Sequence, residues 1–140
     1  MKRFCIALFA LVAVLPLVGC GSSGNSTVTG TITTTDGQVV SGGRITFTSV
    51  SPPISASSRI APDGSYELSS VQPGDGAPAG NYQVAIVSKI SSVGGDRNGR
   101  SVATSKSLVH EKYADVQTSE LTAQVKPGAN TIDFQVEPPK

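Results

Sequence analysis

The stretch Asn81-Tyr82-Gln83-Val84-Ala85-Ile86-Val87-Ser88 decides the fold class. Tyr82, Val84 and Ile86 recur at every second position, the spacing that puts side chains on one face of an extended chain. Ala85 and Val87 make the other face partly apolar as well, so this segment is expected to be a central strand. Upstream, Thr27 to Thr33 alternates Val28, Gly30 and Ile32 with threonines, and Arg44-Ile45-Thr46-Phe47-Thr48 points Ile45 and Phe47 the same way. Between them lie Asp36-Gly37 and Gly42-Gly43, dipeptides suited to tight turns.

The same punctuation continues along the chain. Pro52-Pro53 breaks it, and Ser55 to Ala61 is predicted to be a polar strand with Ile60 inward. Asp63-Gly64 turns into Ser65-Tyr66-Glu67-Leu68, which buries Tyr66 and Leu68, and the two segments are predicted to form a hairpin. Residues 72–80 make a loop. Beyond the central strand, Ser91 to Ser107 is 17 residues of Gly, Ser, Asn and Arg without a clear period. It is expected to be a long surface loop, which in a compact domain is either functional or disordered. Strand pattern resumes at Leu121-Thr122-Ala123-Gln124-Val125, turns at Lys126 to Ala129, and ends with Ile132, Phe134 and Val136 inward. No window carries helical periodicity. The expected fold is all-β: a single antiparallel β-sandwich of about seven strands over residues 27–137, with 138–140 as a tail.

The N-terminal end points to the compartment. Lys2 and Arg3 precede an apolar run from Phe4 to Val18 that is broken only by Pro16. A positive start, a short apolar core and small residues at a cut describe a secretory signal peptide. The run of about 15 residues falls short of the ~20 that span a bilayer as a helix. Leu17-Val18-Gly19-Cys20 resembles a lipobox, the site at which lipoprotein signal peptidase cuts before a cysteine whose thiol already carries diacylglyceryl. That resemblance implies cleavage after Gly19 and acyl chains, such as palmitate, on Cys20. The chain is therefore expected to be exported and lipid-anchored to the cell membrane or outer membrane, facing the periplasm or the cell surface. Residues 20–26 read as a flexible Gly/Ser/Asn linker.

Composition narrows the function classes. Losing residues 1–19 leaves 121 of the 140, enough for one domain. Cys5 leaves with the signal and Cys20 takes lipid, so no disulfide is expected. With 11 basic and 10 acidic side chains in the full chain, and Lys2 and Arg3 removed, the mature balance is −1. No basic footprint for nucleic acid follows from that balance. His110 is the only histidine, so neither a zinc site nor a nucleophile elbow with its triad is suggested. Asp36, Asp63, Asp75 and Asp96 are spaced as turn residues rather than as a calcium loop. No catalytic residue, metal or cofactor is expected. With no tryptophan and Tyr66 and Tyr82 facing the core, Tyr113 is the ring expected at the surface.

Two sets of motifs carry a family resemblance. Val28-Thr29-Gly30-Thr31-Ile32, Gly42-Gly43-Arg44-Ile45-Thr46-Phe47, Asp63-Gly64-Ser65-Tyr66-Glu67-Leu68 and Pro78-Ala79-Gly80-Asn81-Tyr82-Gln83-Val84 resemble the carboxypeptidase regulatory-like repeat. That repeat is a transthyretin-like β-sandwich related to the Cna protein B-type domain. Lys112-Tyr113-Ala114-Asp115, Thr118-Ser119, Leu121 to Val125 and Asn130 to Phe134 resemble the C-terminal end of small lipoproteins of planctomycete-type bacteria. The resemblance implies a transthyretin-like or immunoglobulin-like sandwich without catalysis. The isopeptide cross-link of some B-type domains needs a lysine on the first strand, and no lysine occurs between Arg3 and Lys89. The transthyretin-like hydroxyisourate hydrolases use several histidines, where this chain has one.

The resulting expectation is a membrane-anchored, non-enzymatic module working in the cell envelope through structure or protein contacts. An envelope protein or polysaccharide is its expected partner. The loop Ser91–Ser107, with Arg97 and Arg100, and the segment Lys112–Asp115, with Lys112 and Tyr113, are its candidate contact surface. The alternative is carbohydrate or small-ligand binding by loops at the end of the sandwich.

Overall fold

The computed structural model describes residues 24–95 and 97–140. Its elements are twelve strands and one 3-10 turn: β1 (Asn25–Ser26), β2 (Val28–Thr34), β3 (Arg44–Ser49), β4 (Ile54–Arg59), β5 (Ser65–Glu67), β6 (Ala77–Pro78), β7 (Gly80–Val87), β8 (Lys89–Gly95), β9 (Ser101–Ser107), the turn Glu111–Ala114, β10 (Leu121–Val125), β11 (Asn130–Thr131) and β12 (Phe134–Val136). The class is all-β.

Two sheets make the body. The first has the order β10-β7-β3-β4, antiparallel throughout, with Ile45 opposite Ile86 and Phe47 opposite Val84. β7 is central, as its two-sided apolar pattern requires. In the second sheet β5 runs antiparallel on one side of β2, while β11 and β12 run parallel on the other. The expectation of a wholly antiparallel arrangement is corrected here, because the first and last long segments of the chain lie side by side in the same direction. Their pairing spans about a hundred residues, Asn130 opposite Val28 and Phe134 opposite Ile32. Local periodicity carries no information about such distant pairing.

The inner faces of the two sheets share one core. Val28 and Ile32 of β2, Ile45 and Phe47 of β3, Val84 and Ile86 of β7 and Val136 of β12 are fully buried. Phe47 lies at its centre, with ring centroids 6.3 Å from Tyr66, 5.9 Å from Tyr82 and 6.0 Å from Phe134. Tyr66 and Phe134 belong to the opposite sheet, so this ring joins the two layers. Such aromatic pairs add about 0.5–1.5 kcal/mol each beyond the area they bury. Two sheets closing on one aromatic and aliphatic core are consistent with a β-sandwich.

Gly30 shows how tightly the second sheet is built. A Cβ at this position would stand 1.9 Å from the Ile132 carbonyl oxygen and 3.0 Å from the Tyr66 ring. The space a side chain would need is taken first by that carbonyl and then by the ring of Tyr66, whose hydroxyl donates to the same carbonyl at 2.6 Å. Asp133 closes the crossing from outside, accepting from the Thr31 backbone N–H at 2.7 Å and from its hydroxyl at 2.9 Å. Burial raises the Tyr66 hydroxyl's pKa far above its usual range, with the Asp133 charge adding to the effect.

Three local expectations change. Ser55–Ala61 and Ser65–Leu68 are joined by a tight turn, Ala61 N–H to Ser65 carbonyl at 2.8 Å, but they belong to different sheets. β4 pairs β3, and β5 pairs β2. The turn therefore crosses between layers at Gly64, whose φ of +79° is open to glycine at little cost. Asn25 and Ser26, expected in the linker, pair with β6 as β1, and Ser26 is buried. Most notably, the segment Ser91–Ser107 is not an unpatterned loop: most of it belongs to β8 and β9, which form an antiparallel hairpin, Lys89 opposite Ser107 through Gly95 opposite Ser101.

Candidate interaction surface

The hairpin β8–β9 leaves the body immediately after the central strand. Thirteen of its fourteen strand residues are exposed and the last, Ser107, is half-buried. Its strands contact each other rather than packing on another strand of the body. Opposed residues in an antiparallel pair share a face, so Ile90, Val102, Thr104 and Lys106 stand on one side and Val93 and Ala103 on the other. Ile90, Val93 and Val102 are 49, 74 and 47% exposed. Serine, threonine and glycine fill most remaining positions, which hides the strand period in the sequence. Ser107 fixes the base: its hydroxyl donates to the Val109 carbonyl at 2.6 Å. Leu108 N–H donates to the Ser88 carbonyl at 2.8 Å.

Below the hairpin runs a polar seam. His110 caps the 3-10 turn by accepting the Lys112 N–H on Nδ1 at 3.2 Å, and its own backbone N–H donates to the Glu137 carbonyl at 2.9 Å. Lys112 Nζ meets Glu137 Oε1 at 2.5 Å and lies 5.0 Å from the centroid of the Tyr113 ring. Glu137, through its hydrogen bond to Lys112, holds that ammonium's pKa above its ordinary value; the same bond holds the Glu137 carboxyl below its own.

The four predicted contact residues therefore separate. Arg97 and Arg100 are exposed in the segment joining β8 to β9, on the projecting hairpin. Lys112 is half-buried in the seam and already paired. Tyr113 is not a surface ring: it is 5% exposed, and its hydroxyl accepts the Glu137 N–H at 3.1 Å. No local period points to its burial, because the 3-10 turn Glu111–Ala114 is only four residues long. Val93 and Val102 fall within the candidate contact segment Ser91–Ser107, Ile90 lies just before it, and none of the three was singled out as a contact residue. Leu17, Val18, Gly19 and Cys20 lie outside the described residues.

Several open grooves flank the body among the described residues. One, of about 820 Å³, crosses the outer face of β2 and β5 and includes Thr29, Thr31, Ser58, Glu67 and Asp133. Another, of about 710 Å³, lies by Thr48, Val50, Gln83 and Thr122. Among the described residues no three His, Cys, Asp or Glu side chains come together as a metal-binding group. Two of the turn aspartates, Asp63 and Asp75, have structural partners. Asp75 accepts the backbone N–H groups of Ser70, Val71 and Gln72 at 2.6–3.0 Å, which lowers its pKa. Asp63 accepts from the Ser65 hydroxyl at 2.6 Å and from its N–H at 3.0 Å, with the same effect. No helix among the described residues is long and apolar enough to cross a membrane.

No family model matches the chain, and no curated protein matches it. A solved structure that aligns with it is a 9R-lipoxygenase from Cyanothece, 10% identical over 79% of this chain and 16% of that chain, with a TM-score of 0.36. This chain thus spans a small part of that enzyme's length, and so loose a superposition carries no argument about fold or activity.

Proposed function

We propose that the chain is a lipid-anchored, non-enzymatic module of the cell envelope, tethered through Cys20, whose all-β body presents a contact element to an envelope partner. The finer fold reading belongs to the same proposal: a transthyretin-like sandwich of the carboxypeptidase regulatory-like kind, on the motifs quoted above. The observation that carries the function is the hairpin β8–β9. An isolated two-stranded hairpin is at best marginally stable in water, and this one buries almost nothing of its own. A segment that adds so little to the core, yet displays Ile90, Val93 and Val102, is suited to contact something outside the chain.

The test is cross-linking in cells, with the tagged full-length protein beside Cys20→Ser. One protein enriched only with the anchored form supports the reading; equal recovery from both forms, or none, contradicts it. The alternative of binding a polar small ligand or sugar is favoured by the hydroxyl-rich groove at Thr29, Thr31 and Ser58. A rise in melting temperature with envelope polysaccharides supports that alternative, and no shift across a broad panel removes it.

A further inference from the structure

Charge is divided unevenly between hairpin and body. Residues 89–107 carry Lys89, Arg97, Arg100 and Lys106 against Asp96 alone, a net +3. The rest of the chain after Gly19 carries five basic and nine acidic side chains, a net −4. A basic arm therefore projects from an acidic body.

The arm also sits at a defined end. β1 pairs β6, which directly precedes β7, so the chain enters beside the start of β7. The hairpin begins just beyond the end of β7, which places its base roughly 24 Å from the entry point at ~3.4 Å per residue. Gly24 lies only four positions beyond Cys20, a reach of at most ~14 Å. If Cys20 holds the membrane, the arm emerges at the far end from the lipid.

Resting on the interaction-module reading, we infer that the outer edge of β9 receives an acidic, extended segment of an envelope protein, which pairs with it as an added strand. The chemistry selects this occupant. Among the described residues no strand neighbours the outer edge of β9, so a peptide can pair with its backbone groups in a ladder. β9 contains no glycine, and Val102 and Thr104 suit a pleated surface. Segment 89–107 has no aromatic ring on which a sugar would stack. Two copies of the arm would set +3 against +3, and edge lysines such as Lys106 oppose that self-pairing.

The experiment uses the purified full-length protein in detergent and a short peptide alternating Glu and Val. Its controls are the Lys-for-Glu peptide, the Pro-for-Val peptide and polygalacturonate. The expected result is slowed amide exchange confined to the hairpin with the Glu-Val peptide only. Binding should weaken about tenfold in Lys106→Glu combined with Arg97→Glu, as for loss of a complementary charged contact. Equal binding of the Pro-containing peptide overturns strand addition in favour of bare electrostatics. Binding of polygalacturonate alone, self-association through the arm, or no binding at all also overturns the proposal. A photoreactive residue at Thr104, compared with one at the exposed Val71 in the loop before β6, distinguishes failure of the arm from failure of the module. Partner capture from Val71 but not Thr104 overturns the arm and leaves the interaction module standing; capture from neither overturns both.

Discussion

The body and the hairpin are built from the same kind of strand and held by different physics. In the body, alternate side chains enter a shared core, and Phe47 alone meets three aromatic rings from two sheets. In the hairpin, thirteen of fourteen strand residues face solvent, and order rests on one ladder anchored at Ser88 and Ser107. Burial on both inner faces makes the body self-sufficient. The hairpin's surface gains by being covered, so the difference between the two regions separates what stabilises the chain from what is available for contact.

The comparison breaks most visibly at the centre of the body. Phe47→Ala should cost about 3–5 kcal/mol in urea unfolding, because it removes a buried ring and leaves a cavity between the sheets. A cost near zero would mean that the sheets do not depend on this contact. Next in size is Gly30→Ala, whose methyl would meet the Ile132 carbonyl. Displacing the β11–β12 crossing should cost about 1–3 kcal/mol by the same measurement, in line with other overpacked sites. Tyr113→Phe should cost about 1 kcal/mol, since it removes the acceptor for a single N–H while leaving the ring in place.

Acid should act on the body's turns. Hydrogen bonds hold the carboxyls of Asp63 and Asp75 below their ordinary value of 3.8. Their contribution is therefore present above that value and is lost as pH falls through the lower values of the folded state. Melting temperature should decline as pH drops below about 4, and Asp75→Asn should flatten that decline. The Lys112–Glu137 pair behaves oppositely on the alkaline side. The raised ammonium contributes below its ordinary 10.5 and loses that contribution as pH rises beyond it. Removing the arm should have the smallest effect. Replacing Ile90–Lys106 with Asn-Gly, a natural two-residue hairpin turn, should change stability by no more than about 0.5 kcal/mol. The replacement spares Ser107, whose hydroxyl serves the body at Val109.

Much of the body was legible in the sequence because burial writes a period into it. Val28, Gly30 and Ile32, then Ile45 and Phe47, then Tyr82, Val84 and Ile86 all fall on the faces their spacing assigns. The hairpin was not legible because its strands bury nothing, leaving serine, glycine and threonine in no hydrophobic order. The parallel pairing of β2 with β11 and β12 was hidden for another reason: it joins distant parts of the chain. Of the candidate contact residues, Arg97 and Arg100 do lie on the projecting arm. Lys112 and Tyr113 were misjudged because a short 3-10 turn, too brief for a recognisable period, rotates the ring inward beneath Glu137.

Hydrogen exchange of the full-length protein, measured in isolated cell envelopes and again after purification in detergent, tests the central claim most directly. The account predicts strong protection of β2, β3 and β7 in both states, with β8 and β9 fast in detergent and markedly slower in the envelope. Equal exchange of the hairpin in the two states would contradict the claim that this arm is the surface by which the protein meets its partner.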